Sequence, residues 1–374
     1  MSSSTETYRE RLAQLKAEGR LRALPAAGYF RYDLSDNDYL GLGRRDDLRR
    51  DFMARCEAPL TAAASRLLAP RQKEAVELEN TLADAYGRPV LLFNSGYHAN
   101  TGCMSALAEG HTLIVADKLV HASIIDGIRL SGARFVRFRH NDVRGLERIL
   151  GKEGAGFDKV LIVTESVFSM DGDMAPLRGI AEVKGRYPNA LLYVDEAHAF
   201  GLFGERGLGL VRELGLDDAV DVLVGTFGKG AASAGAFVAA SQTVVDYLLN
   251  TARSFIFSTA LPPLCHAWTL RMLQEIFAAD ALRANLRAIS ERFRRGLEAV
   301  TGQENPSCSQ IVPWIVGSSE KAVELSANLR EHGVNALPIR RPTVPPGTER
   351  IRFSLNAALT DRDIDEILKV IATL

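Results

Sequence analysis

The chain has only four cysteines, Cys56, Cys103, Cys265 and Cys308, and no two form a C-x-x-C pair. That excludes a disulfide framework and the common structural zinc sites, so no metal is expected and a reducing, cytoplasmic setting is. No apolar run approaches the roughly 18 residues of a membrane-spanning helix, and no membrane partner is expected. The start, MSSSTETYRERLAQLKAEGR, turns charged without an apolar stretch, so a secretory leader is not expected either. An excess of one charge is also missing, because 45 Lys and Arg stand against 46 Asp and Glu. Without a basic field nothing holds a polyanion, so nucleic acid is excluded and a small-molecule substrate fits better.

Two nucleotide signatures are absent as well. YVDEAH (193–198) copies a Walker-B-like box after an apolar strand, but the G-x-x-x-x-G-K-[ST] loop that must accompany it is lacking. GK occurs only at 151–152 and 228–229, and Leu223 stands where the first loop glycine would precede Lys229. No G-x-G-x-x-G follows an early strand, which argues against a dinucleotide fold.

What is present is 374 residues, 47% of them hydrophobic, enough for a large core and a smaller second domain. Between about residues 75 and 245, aliphatic runs alternate with helical patterns: VLLF (90–93), TLIVAD (112–117), RFVRF (134–138), KVLIVTE (159–165), ALLYVDE (190–196) and DVLVGT (221–226). Strands buried on both faces read this way, so an α/β fold with a mostly parallel central sheet flanked by helices is predicted. Later the pattern changes to a strand (SQIVPWIVG), a helix ending at Gly333, a strand (ERIRFSLNA) and a last helix. That helix opens with Thr360 and Asp363 in capping-box spacing and repeats Ile364, Ile367, Leu368 and Ile371 at helical period. The expected organisation is an N-terminal segment 1–45 packing with the small domain, a large domain 46–255, and a connecting helix with a small α+β domain over 256–374.

In an open parallel sheet, ligands sit beyond the carboxyl ends of the strands. There the sequence keeps Glu165, Asp195, Thr226 and Lys229, with His121 just beyond LIVAD. Each alone has a bland account, a helix cap or a solvated loop residue. Upstream, SGYHANTG (95–102) reads as a loop feeding a helix start, where N–H groups hold an anion such as phosphate. A phosphate cradle, a carboxylate beyond one strand and a lysine beyond a later one together meet the needs of pyridoxal phosphate. That cofactor takes a phosphate site, an acid for its pyridine nitrogen and an amine for a Schiff base. The glycines on either side of Lys229 would allow backbone and cofactor to approach closely.

SDNDYLGLG (35–43), HASIIDGIRLSGA (121–133), TESVFSMDGDMAPL (164–177), VDEAHAFGLFGERGLG (194–209) and TFGKGAASAG (226–235) resemble the α-oxoamine synthases over about residues 35–360. These are fold-type I, aminotransferase-like pyridoxal-phosphate enzymes that condense an amino acid with an acyl thioester and release carbon dioxide. PIRRPTVPPGTERIRFSLNA (338–357) is most similar to the branch that joins L-alanine to a pimeloyl thioester, on CoA or acyl carrier protein, in biotin synthesis. Sibling branches take glycine or serine with another acyl-CoA.

The resemblance implies Lys229 as the Schiff-base lysine, Asp195 as partner of the pyridine nitrogen, His121 on the ring face and His198 at the phenolic oxygen. Ser169 and Thr226 would contact cofactor oxygens, with the N–H groups of Gly96 and Tyr97 on the phosphate. Asn37 and Arg352 would hold the substrate carboxylate, and Thr343 would line the acyl pocket. Arg20 and Arg22 both stand where an arginine commonly contacts the acyl substrate. A homodimer with shared active sites is also implied, FIFSTALPP (255–263) reaching the neighbour's phosphate through Ser258 or Thr259. His98, His111, His140, His266 and His332 take no role, and Glu165 braces its loop. The chain departs from the family pattern at Ala231, Ala232 and Ser233 after the lysine, and at Arg340-Arg341-Pro342.

Overall fold

The computed structural model describes residues 5–22, 24, 28–70 and 72–374. The chain forms two compact units: a larger one of Asn37–Ser169 and Asp173–Asn285, and a smaller one of Met1–Asp36, Met170–Gly172 and Leu286–Leu374. The divisions thus fall near residues 36 and 285, where the sequence pattern suggested 45 and 255. The reason is packing: helix Pro263–Phe277, which looked like a connector, lies against helix Lys73–Tyr86 of the larger unit.

In chain order, β1 (Tyr32–Asp33) belongs to the smaller unit. The larger unit holds β2 (Val90–Phe93), β3 (Thr112–Asp117), β4 (Arg134–Phe138), β5 (Lys159–Glu165), β6 (Ala190–Asp195), β7 (Val222–Thr226) and β8 (Ala236–Ala240). Then β9 (Ile311–Ile315), β10 (Val334–Asn335), β11 (Leu337–Ile339) and β12 (Arg350–Ser354) return to the smaller unit.

The large sheet has the order β2-β8-β7-β6-β5-β3-β4. From β7 to β4 every pairing is parallel, and β8 is antiparallel to both neighbours. β8 was not foreseen. Only residues 227–235 link it to β7, too few for a crossover helix, so the chain must turn back antiparallel. β3 and β5 to β8 are buried almost throughout, while β4 at the edge is charged and largely exposed, which discourages further strand pairing. The chain runs outward from β3 to β4, then restarts on the other side of β3 with β5, β6 and β7. This reversal opens the crevice at the carboxyl ends of β3 and β5 in which such sheets bind ligands.

Helices Gly96–Leu107 and Ala122–Ser131 pack together over the sheet, and Gly127 sets their separation. A Cβ there would lie 2.7 Å from Met104 Cβ and 2.9 Å from the Asn100 carbonyl oxygen. Their apolar faces join β2, β3, β5, β6, β7 and β8 in one buried cluster that includes Met104, Ile124, Val163, Tyr193 and Val238.

In the smaller unit, β11, β12 and β9 form an antiparallel sheet, and β1 pairs with β10 in parallel. Helices Ser319–Glu331 and Asp361–Ile371 form as expected, the second with its Thr360–Asp363 capping box complete and Ile364, Ile367 and Ile371 buried.

Candidate active site

Asp195 ends β6 with only 4% of its surface exposed. One oxygen accepts from the Ala197 N–H at 2.8 Å and the other from Asn100 Nδ2 at 2.7 Å. Asn100 lies one helical turn beyond Gly96, so both share a face of their helix. Its Nδ2 also reaches Ser123 Oγ at 2.9 Å, and its Oδ1 accepts from Tyr193 OH at 2.6 Å. Ser123 Oγ lies 2.7 Å from His121 Nδ1, and the Ser123 N–H donates to that same nitrogen. With Nδ1 occupied as an acceptor, the ring proton is assigned to Nε2. Burial pulls the imidazole below its ordinary pKa against the opposing pull of Asp195, so His121 is a neutral ring.

Glu165 ends β5 and pairs in register with Asp195. Burial raises its carboxyl well above the ordinary range, and the Asp195 charge pushes it the same way. Its Oε1 is buried without a hydrogen-bond partner. The crevice therefore sets two acids side by side, with burial favouring the protonated form of Glu165. Glu196 of the DEAH string is fully buried and accepts from the Val211 N–H at 3.0 Å, with burial raising its pKa to about 7. It anchors a loop.

Lys229 sits in the β7–β8 connection, which is closed at its base by Phe227 N–H to the Gly235 carbonyl (2.9 Å) and Ser233 N–H to the Phe227 carbonyl (2.9 Å). The Ala232 N–H returns to the Lys229 carbonyl at 2.8 Å, so the lysine backbone is held in a turn. Its Nζ lies 2.9 Å from His198 Nε2. His198 Nδ1 in turn lies 2.7 Å from Tyr39 OH, which donates to Asn37 Oδ1 at 2.8 Å.

The start of helix Gly96–Leu107 offers N–H groups of the kind that hold an anion. Ser95 caps it, its Oγ accepting from the His98 N–H, which leaves the Gly96 and Tyr97 N–H groups of the first turn without partners inside the helix. Gly96 lies beside Thr226, since a Cβ on it would come 3.7 Å from the Thr226 Cβ. Thr226 Oγ1 donates to the Gly235 carbonyl and accepts from the Gly228 N–H. A buried carboxylate, a neutral imidazole, an amine and a helix start beside hydroxyls form a donor set that suits the phosphate, ring and aldehyde of pyridoxal phosphate.

Of the residues singled out in the sequence, Asn37, Gly96, Tyr97, His121, Ser169, Asp195, His198, Thr226 and Lys229 all lie in the larger unit. Ser169 is half-buried, at the edge of a hairpin whose tip, Met170–Gly172, belongs to the smaller unit. Arg22, Thr343 and Arg352 lie in the smaller unit, where Arg22 Nη2 donates to the exposed Thr343 Oγ1 at 3.2 Å. Arg352 is buried on β12 and donates to Ser354 Oγ at 2.6 Å. Tyr39, Asn100, Ser123 and Tyr193 were missed. The spacing of Asn100 four residues after Gly96 would have found one of them.

The chain matches the family model of class I and II aminotransferases over residues 32–371. A protein of Pasteurella multocida (strain Pm70) is 48% identical over 98% of each chain. The 8-amino-7-oxononanoate synthase of Chlorobaculum parvum is 43% identical over 96% of each. Among solved structures, the serine palmitoyltransferase of S. paucimobilis with a bound PLP–myriocin aldimine superposes with a TM-score of 0.88 at 28% identity, over 99% of this chain and 96% of that one. Pyridoxal phosphate is thus the cofactor. The chain belongs to the class I and II aminotransferase family, in its α-oxoamine synthase branch of pyridoxal-phosphate-dependent C-acyltransferases.

Proposed function

We propose that the enzyme condenses L-alanine with a pimeloyl thioester, on CoA or acyl carrier protein, giving 8-amino-7-oxononanoate, carbon dioxide and a free thiol in biotin synthesis. The observation that carries this reading is the chain from Asn37 to Lys229 beside the buried Asp195, in a protein 43% identical to a named 8-amino-7-oxononanoate synthase. Pyridoxal phosphate supplies an aldehyde that captures an amine covalently and an electron-poor ring that stabilises negative charge on the amino acid's Cα.

Asp195 would hold the pyridine nitrogen and favour its protonated form, and His121 would cover the ring. The N–H groups of Gly96 and Tyr97 hold the phosphate, Ser169 and Thr226 take cofactor oxygens, and His198 takes the phenolic oxygen. Lys229 Nζ would hold the cofactor at its aldehyde, and its amine would take the Cα proton of alanine and give a proton back to the product. Asn37 would bind the alanine carboxylate and orient the amino acid, and the family resemblance gives Arg352, on β12 of the smaller unit, a carboxylate-binding role. Arg22 and Thr343 bind the acyl substrate. The working form is a cytoplasmic homodimer with shared active sites, supported by the exposed apolar side chains of Leu60, Leu68 and Phe257.

Product mass after incubation with alanine and pimeloyl-CoA tests the reaction. The amino-ketone of alanine is expected, and product only from glycine or serine with another acyl-CoA would assign a sibling activity. Lys229→Ala is expected to abolish turnover and the cofactor's visible absorbance; retained turnover would reject its role.

A further inference from the structure

His140 stands outside the reaction outlined above, yet its imidazole lies where two loops of the larger unit meet. One is the turn 117–121, which runs from the end of β3 to His121, the cap of helix Ala122–Ser131. The other is the hairpin 166–175 beyond β5, which carries Ser169. It is closed by Phe168 N–H to the Asp173 carbonyl at 3.0 Å and by Ala175 N–H to the Ser166 carbonyl at 3.1 Å.

The first loop is folded around a fully buried carboxylate. Asp117 Oδ1 accepts from the Leu119 N–H at 2.8 Å and lies 2.9 Å from His140 Nδ1, while Oδ2 accepts from the Asn141 N–H at 2.8 Å. On the far side of the ring, His140 Nε2 lies 2.8 Å from Asp173 Oδ2 of the hairpin, and Phe168, the residue before Ser169, meets the ring edge to face. Asn141 strengthens the same joint. Its φ of +55° is a left-handed conformation that asparagine tolerates better than most residues, and its Nδ2 donates to Asp173 Oδ2 at 2.8 Å and to the Met174 carbonyl at 3.2 Å.

Ionised carboxylates only accept, so a ring that serves both must donate from both nitrogens, which only the imidazolium can do. A glutamine in its place has its donors on one atom and cannot span the two acids. We propose that His140 is a positioning residue for pyridoxal phosphate: by tying Asp117 to Asp173 it fixes the spacing between the turn that presents His121 and the hairpin that presents Ser169. The roles of His121 and Ser169 come from the functional reading above, whereas the joint between their loops does not depend on it.

Hydrogen exchange of the holoenzyme, read by mass spectrometry, tests the joint. Asp173→Asn, made in the hairpin, should speed exchange over residues 118–121 about tenfold, and Asp117→Asn should do the same over residues 166–175, each beyond any change in β6. Effects confined to the loop that carries the substitution would overturn the proposal. If Asp117→Asn does not fold, Asp173→Asn decides alone. The visible circular dichroism of the bound cofactor tests the positioning. His140→Gln should alter that band and speed loss of the cofactor about tenfold, while Ile371→Ala, which opens a cavity in the smaller unit, should leave the band as it is. An unchanged band in His140→Gln, or the same change in Ile371→Ala, would reduce His140 to a structural residue and reject the inference. Should His140→Gln fail to fold, Asp173→Asn is expected to move both cofactor readouts in the same direction, and wild-type values would reject it equally. A band untouched by His121→Ala and by Ser169→Ala would instead fault the functional reading of those two residues, and the exchange measurement would still decide the joint.

Discussion

His140 matched no role in the sequence, yet it is clamped between two carboxylates. Nδ1 lies 2.9 Å from Asp117 Oδ1 and Nε2 lies 2.8 Å from Asp173 Oδ2, while Phe168 meets the ring edge to face at 4.4 Å. Burial opposes the charge on the imidazole, but the hydrogen bonds to Asp117 and Asp173 outweigh it and lift the pKa to about 10. An unfolded histidine titrates near 6.5. Because the folded value is the higher, the stabilisation is complete below about pH 6.5 and is lost as pH rises from there through about 10. At about 1.4 kcal/mol per decade the ceiling is roughly 5 kcal/mol. The quarter of the side chain still exposed (24%) admits water that weakens the pairing, so about 3 kcal/mol is expected.

The perturbation is His140→Gln, which keeps hydrogen bonding and removes the charge. Urea midpoints of the two proteins, measured side by side from about pH 6 to about pH 10, should differ most at the acid end and converge toward the alkaline end. Other titrating groups act equally on both proteins and cancel in the difference. A gap that stays constant over this range would refute the ionic clamp and leave His140 a packing residue.

Asn100→Ala should strand the Tyr193 hydroxyl and one Asp195 oxygen in the core, costing about 3 kcal/mol and lowering cofactor content; thermal denaturation and the visible spectrum check both. Gly172→Ala should destabilise by more than about 3 kcal/mol, because φ is +69° and the new Cβ would fall 1.9 Å from the Ile311 carbonyl oxygen; an unchanged melting temperature would contradict this. Asp195→Asn should still bind some pyridoxal phosphate but stop exchange of the alanine Cα hydrogen in deuterated water, and exchange at the wild-type rate would defeat the electron-sink argument.

The strands with continuous aliphatic runs were legible because burial on both faces leaves no choice of residue type. TLIVAD, RFVRF and KVLIVTE form over the same residues in the structure. β8 was invisible because AFVAA follows Gly235 and is mostly alanine, a composition that fits a buried strand and a helix start equally well. β1 and β10 have two residues each, too short to show any period. Among the polar groups, those at strand ends were legible from position alone. Tyr39 and Asn100 were not, because their meaning lies in pairings across 159 and 95 residues that only the folded chain brings within 3 Å. Local pattern reports which face a side chain takes, and says little about which distant side chain shares that face.

The antiparallel strand that the sequence hid also explains why the lysine is where it is. A parallel crossover after β7 would carry Lys229 at the start of a long helix connection, free to shift with it. The short return to β8 instead ties both flanks of the lysine to one sheet: Thr226 Oγ1 and Phe227 N–H both bind the Gly235 carbonyl, and Trp268 Nε1 fastens the Ala232 carbonyl at 3.0 Å. Ala232, with φ at +47°, is held in a conformation that a residue with a Cβ seldom takes, and it closes the turn. Backbone rigidity on both sides leaves motion to the four side-chain torsions of Lys229. The role proposed for Lys229, tether and then proton carrier, calls for that combination, a fixed origin and a mobile tip. The alanines and serine that depart from the family pattern at 231–233 fit this demand: Ala231 is fully buried, and Ser233 Oγ bonds Thr269 Oγ1 at 2.7 Å, so small side chains let the turn pack onto helix Pro263–Phe277.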